Sequence, residues 1–173
     1  MNPSDRYTPL LAEAEQRLRH IKQRIWRVSM LRVLLFMAGI TALIYFFHAA
    51  GWVLTLSLCC TFIPFFALVK LHNRLFQEKT WTETEIRIYQ EELKALQGDY
   101  SAFDGGKNYI DPSHEYSYDL DLFGDRSLFQ AVNRTCTCFG KKRLATWFQQ
   151  HLTDKKAIES RQQSVTDLSK RPE

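Results

Sequence analysis

"VLLFMAGITALIYFFHAAGWVLTLSLCCTFIPFFALV", residues 33–69, contains no Asp, Glu, Lys or Arg. The chain as a whole is 24% charged and 45% hydrophobic, so charge has been cleared from one place. No core element of a water-soluble domain requires such a run, and its length points to a membrane. A single helix through it would rise about 55 Å, against a hydrocarbon core of about 30 Å. Two spans joined by a tight turn fit better. The turn falls at His48–Trp52. His48 is the polar residue at the middle of the run, Gly51 suits a helix end, and Trp52 suits an interface. Tyr45, Phe46 and Phe47 stand just before it as an aromatic belt. The expected spans are 32–48 and 52–70, with Pro64 kinking the second.

The flanks set the orientation. Arg17, Arg19, Lys22, Arg24, Arg27 and Arg32 precede the first span with no acid among them, and Lys70, Arg74 and Lys79 follow the second. Excess Lys and Arg mark the cytoplasmic side, so both termini are expected in the cytoplasm of a two-pass protein of the cell (inner) membrane. A cleaved signal peptide is the competing reading. The leader is too long for an n-region, and a second apolar span follows directly. Cys59 and Cys60 lie in the second span as small apolar residues, and Cys136 and Cys138 are expected reduced on the cytoplasmic side.

Outside the spans the pattern is helical. Thr8 and Pro9 suit an N-cap and a first helical position. Leu11, Ala14, Leu18, Ile21, Ile25 and Val28 then recur at alternating steps of three and four, a heptad seam. A second seam follows the membrane run, with Leu75, Ile86, Tyr89, Leu93 and Leu96, and Thr82 with Glu85 reads as a capping box that restarts the helix near 80–82. A hairpin brings these seams side by side, so an antiparallel stalk is expected; packing of each on a dimer mate is the alternative. The basic face of the leader could also lie on anionic lipid, although a snorkelling flank is the simpler account.

From Gly98 the chain is rich in loops. Gly105-Gly106-Lys107 resembles a phosphate loop, but Ser101 stands where that motif needs glycine and Asn108 where it needs a hydroxyl; it reads as a turn. Tyr116, Tyr118, Leu120 and Leu122 alternate with Ser117, Asp119 and Asp121, the pattern of a short half-buried strand with the Asp pair on its solvated face. Asp125 or Ser127 should cap a short helix bearing Leu128, Phe129 and Val132. Thr137 should cap another, with Leu144, Trp147, Phe148 and Leu152 on one face. Thr153 or Asp154 opens a third, whose Ile158, Val165 and Leu168 should be buried. Cys136 and Cys138 lack a second ligand pair, so no metal site is expected. Lys141, Lys142 and Arg143 read as a solvated face rather than a nucleic-acid patch.

The stretch "SLFQAVNRTCTCFGKKRLATWFQQHLTDKKAIESRQQSVTDL" resembles the start of the core (lever) domain of MutS-type DNA mismatch repair ATPases. The resemblance covers about 100–173 and rests on Leu128, the Arg134-Thr135-x-Thr137-x-x-Gly140 turn, Leu144 and Trp147, and Ile158 with Arg161-Gln162. The upstream "SYDLDLFGDRSLF" looks like a membrane-anchored branch of that family without the mismatch-recognition domain. Phe76–Glu78 carries a Phe-x-Glu like that domain's DNA probe, but lacks its preceding glycine and is a coincidence.

The fold expected is therefore mainly α: a two-helix transmembrane hairpin with an antiparallel cytoplasmic stalk, then an incomplete α-helical MutS core (lever) domain. The divisions are an amphipathic helix at 1–31, the hairpin at 32–70, a stalk helix at 71–98, a loop-rich linker with a short strand at 99–126, and the core-domain start at 127–173. The resemblance implies DNA, ATP and Mg²⁺ for the intact family protein and a homodimeric partner. This chain carries no catalytic, cofactor or metal residue to transfer, and reads as the membrane-anchored N-terminal part, a truncated product or an incomplete sequence. The alternative is a self-sufficient small membrane adaptor that binds neither DNA nor ATP.

Overall fold

A computed structural model describes residues 3–45 and 51–170, and the chain divides into two compact units, Met1–Gln97 and Gly98–Glu173. Among the described residues all regular structure is helical, in line with the mainly α reading.

The first unit is two long helices. Helix α1 runs Pro3–Tyr45 and α2 runs Gly51–Leu96. They pack antiparallel: Tyr7 meets Tyr89 with ring centres 6.2 Å apart, Arg17 reaches Glu85 at 3.5 Å, Lys22 reaches Glu83 at 3.7 Å, and Phe36 meets Phe65 at 6.4 Å. The α1 seam is the expected one: Ala14 and Ile21 are buried, and Leu11, Leu18, Ile25 and Val28 half-buried. The same spacing continues through Arg32, Leu35, Gly39 and Ala42. On α2 the seam passes through Thr61, Phe65, Leu68, His72, Leu75, Lys79, Thr82, Ile86, Tyr89 and Leu93. Steps of three and four without interruption are those of two helices wound about one another.

Three local expectations are corrected here. Helix α1 starts at Pro3, so Thr8 and Pro9 lie inside it, and the Thr8 hydroxyl donates to the Ser4 carbonyl at 2.8 Å. The Tyr7–Tyr89 contact holds the extra turn in place. Thr82 does not restart a helix: it is buried on the seam and its hydroxyl donates to the Glu78 carbonyl at 2.9 Å. Packing outweighs the local capping signal there. Leu96 is exposed and Ala95 buried in its place. Pro64 lies inside α2. The expected turn at His48–Trp52 lies largely outside the described residues, as do Phe46 and Phe47; Gly51 is the first residue of α2. Helix α1 is long and apolar enough to cross a membrane, and its most apolar window is unburied. Trp52, Leu56, Phe62, Ile63 and Phe66 are exposed on the uncharged part of α2.

The second unit holds a short 3₁₀ turn at Lys107–Tyr109 and helices α3 (Leu128–Val132), α4 (Cys138–Gln149) and α5 (Lys155–Ser169). Phe129 is fully buried at its centre. Its ring lies 5.1 Å from Phe123, 5.7 Å from Phe148 and 6.0 Å from Tyr109, and Leu122 and Ala145 complete the core.

The glycine pair 105–106 serves this core. The Gly124 N–H donates to the Gly105 carbonyl at 2.8 Å, and a Cβ on Gly105 would collide with the Gly124 carbonyl oxygen. Gly106 has φ 68°, and a Cβ there would come within 2.8 Å of the Phe129 ring. The sequence that resembled a phosphate loop is a turn shaped by close packing.

The strand expected over 116–122 is absent. The Leu120 N–H bonds the Tyr116 carbonyl at 3.1 Å, Asp121 bonds Tyr118 at 3.1 Å, and Leu122 bonds Ser117 at 3.1 Å, so the segment coils into successive turns. The expected faces hold only in part: Leu122 and Tyr116 pack on the core and Asp119 and Asp121 are exposed, but Ser117 is buried and Tyr118 and Leu120 are exposed. With its carbonyls satisfied inside the segment, no partner strand is needed. The expected buried face of α5 is also corrected, since Val165 is 62% and Leu168 72% exposed. No element among the described residues covers them.

Candidate functional site

The most ordered chemistry lies at the corner between α3 and α4. Ser127 caps α3 by accepting the Gln130 N–H at 3.1 Å. Asp125, the other expected cap, pairs with Lys107 at 2.7 Å instead. Thr137 caps α4 by accepting the Gly140 N–H at 3.0 Å, and a Cβ on Gly140 would stand 3.0 Å from the Thr137 hydroxyl. Between the caps, Asn133 orders the turn: its side-chain oxygen accepts from the Thr135 N–H at 3.1 Å and hydroxyl at 2.6 Å. Its amide donates to the Asp104 carbonyl at 2.9 Å, while the Gln130 amide donates to the Phe103 carbonyl at 2.8 Å. Two buried amides thus fasten the corner to the 103–106 loop, each satisfied as burial requires.

Charge reinforces the same contact. The Arg134 guanidinium lies 3.5 Å from the centre of the Phe103 ring, and the Lys141 ammonium donates to Asp104. That pairing, helped by the Gly106 N–H, holds the Asp104 carboxyl below its ordinary range and raises Lys141 above its own. Asp111 is lowered likewise by the Ser113 hydroxyl and N–H. The far end of α4 is fixed too: the Tyr116 hydroxyl donates to the Phe148 carbonyl at 3.0 Å, and the His114 ring meets the Gln149 carbonyl at 3.1 Å.

The ten residues that carried the resemblance do not gather in one place. Arg134, Thr135, Thr137 and Gly140 meet in the corner. Leu144 packs on the aromatic core. Trp147 faces α5, with the Arg161 guanidinium 4.2 Å from its ring and that of Arg143 6.0 Å away. Ile158, Arg161 and Gln162 line a shallow open groove with Leu152, while Leu128 stands apart and exposed. Gln130, Asn133, Phe103 and Asp104 were not singled out by the sequence reading. The available signal was two amides three residues apart beside the apolar Leu128-Phe129 pair. Cys136 and Cys138 are free and exposed. Among the described residues no group of three or more His, Cys, Asp or Glu side chains gathers to hold a metal.

What this defines is a long antiparallel helical hairpin followed by a small helical unit whose ordered polar groups fasten backbone to backbone, a scaffold arrangement. Residues 113–173 match the family model of MutS domain III, so that segment is similar to this domain of the MutS proteins. Helices α1 and α2 lie outside the match. No curated protein and no solved structure matches the chain.

Proposed function

We propose that the chain is the membrane-anchored part of a MutS-related DNA mismatch repair protein, in which α1 and α2 form a two-pass hairpin and the second unit begins the core domain. The match over 113–173 supports the MutS-related half of this reading, and the uncharged run 33–69 supports the membrane half. The basic flanks support a cell-membrane location with both termini cytoplasmic. The open apolar face at Val165 and Leu168 supports a segment that packs inside a larger assembly. On this reading the chain is not an enzyme. It supplies anchor and scaffold, while ATP, Mg²⁺ and DNA belong to the intact family protein, which acts as a dimer.

Three measurements test the two halves separately. Carbonate extraction of membranes should leave the chain in the pellet. With Cys59 and Cys60 replaced by alanine, an impermeant maleimide should label Cys136 and Cys138 in inverted vesicles and not in intact cells; labelling from outside would overturn the topology. ATP hydrolysis by the purified chain would overturn the scaffold assignment.

A further inference from the structure

Beyond anchoring, the distribution of charge along the first unit points to a lipid preference. Residues 16–45 and 51–77 contain no Asp or Glu. Arg24, Arg27 and Arg32 lie on α1 just before the uncharged stretch, and Lys70 and Arg74 lie on α2 just after it. The contacts Phe36–Phe65 and Lys22–Glu83 fix the antiparallel register. They place Arg32 level with Lys70 and Arg27 level with Arg74, so the five cations form one collar.

The collar differs from the charges farther along the helices. There, Arg17 pairs with Glu13 and Glu85, Lys22 and Lys79 pair with Glu83, and Arg87 pairs with Glu91. None of the five collar cations has a carboxylate within ion-pair distance among the described residues. Four are exposed, and Arg32 is half-buried on the seam. Trp26 and Phe76, 66% and 51% exposed, stand among them, amphipathic and apolar rings of the kind that settle at headgroup level. Five like charges held side by side repel one another, and Glu78, one turn beyond Arg74, sets a single carboxylate against them, so most of the counter-charge has to come from outside the chain.

We propose that this collar binds the phosphate headgroups of anionic lipids and gathers them around the hairpin. The inference rests on the membrane reading above. The uncharged stretch beside the collar places it at the depth of lipid phosphates, which is why the counter-charge is assigned to lipid rather than to nucleic acid. Each Lys or Arg near a charged surface contributes about a fivefold preference for it. Competition among five neighbours lowers the sum.

The test uses the full chain reconstituted in phosphatidylcholine vesicles containing a minor share of phosphatidylglycerol. Energy transfer from tryptophan to trace dansyl-labelled phosphatidylglycerol is compared with transfer to dansyl-labelled phosphatidylcholine. The expected result is severalfold enrichment of phosphatidylglycerol. It should fall towards parity in the Arg24→Gln, Arg27→Gln, Arg74→Gln variant, and in the native chain at about 1 M salt, where the screening length is about 3 Å. Equal transfer to both lipids in the native chain would overturn the proposal, as would enrichment that survives both the substitutions and the salt. Collar-dependent binding of a DNA duplex without phosphatidylglycerol enrichment would overturn it in favour of nucleic acid. A chain released by carbonate fails the membrane reading; one that stays inserted without lipid preference fails only this inference.

Discussion

Phe129→Ala should strongly destabilise the second unit while leaving the α1–α2 pair intact. Phe129 is fully buried and touches the rings of Phe123, Phe148 and Tyr109. It also fills the space that Gly106 leaves open. Truncating such a side chain costs about 3–5 kcal/mol. A unit the size of Gly98–Glu173 has a total stability of about 4–11 kcal/mol at usual per-residue values. One substitution therefore removes between about a third and all of it. Hydrogen exchange of the full chain in neutral detergent reads this directly. Amides of α4 should exchange faster by about a hundredfold to a few thousandfold, while those along 11–28 and 75–93 keep their native rates, because the two units have separate cores. Exchange in α4 within about tenfold of native, a change below about 1.4 kcal/mol, would refute the assignment of Phe129 as the centre of that core. Equal acceleration in α1 would refute the independence of the units.

Three smaller perturbations test the corner. Gly106→Val should destabilise the second unit by more than the roughly 1–2 kcal/mol of placing a side chain in left-handed backbone, since its Cβ also meets the Phe129 ring; a thermal midpoint equal to native would show that the loop moves freely. Thr137→Ala should cost about 1 kcal/mol and Thr137→Ser much less, read as fraying of amides 138–141; equal effects of the two would mean that the hydroxyl does not cap. The Asp104–Lys141 pair gives a pH dependence with a definite sign. Asp104 is lowered from 3.8 in the folded state, so its contribution is present above that value and fades as pH falls through the lower, folded one. Lys141, raised from 10.5, would lose its share only in strong alkali. The midpoint gap between native and Asp104→Asn should therefore be open at neutral pH and close as acid carries the pH below 3.8 and through the lower, folded value. A gap of the same size in acid would exclude the carboxylate as its source.

Periodicity carried the first unit. The α1 seam was legible because its apolar residues alone mark every step from Leu11 to Val28. On α2 the same seam was half hidden, since His72, Lys79 and Thr82 occupy seam positions and an apolar filter passes over them. Helix caps in the second unit were legible where a side chain bonds its own helix, as Ser127, Thr137 and Asp154 do. The turns over 116–122 were not. Alternation of period two describes the residues but not where their carbonyls are satisfied, and the left-handed Asp121, φ 47°, breaks any strand there. The clasp of Gln130 and Asn133 onto 103–104 was illegible for another reason. It joins residues 27 and 29 positions apart, and no local pattern encodes a partner that distant.

On the membrane reading proposed above, the seam explains how one pair of helices can serve two surroundings. Where charged residues flank it, between Leu11 and Val28 on α1, the pair is held by burial of apolar side chains and by the cross-helix ion pairs to Glu83 and Glu85. Along the uncharged stretch that contribution disappears once lipid replaces water, because the surroundings are as apolar as the contact. Close approach has to replace it, and the seam changes composition accordingly. Gly39 faces Thr61, with a Cβ on Gly39 meeting the Thr61 side chain at 3.6 Å, and Ala42 follows one turn on. Because the spacing never shifts phase between the two regimes, the stalk and the apolar half are one continuous coil. Packing at Ala14, Ile21, Leu75 and Thr82 therefore sets the register at Gly39. A bulky residue at Gly39 would be resisted along the whole length of the hairpin and not only at the point of contact.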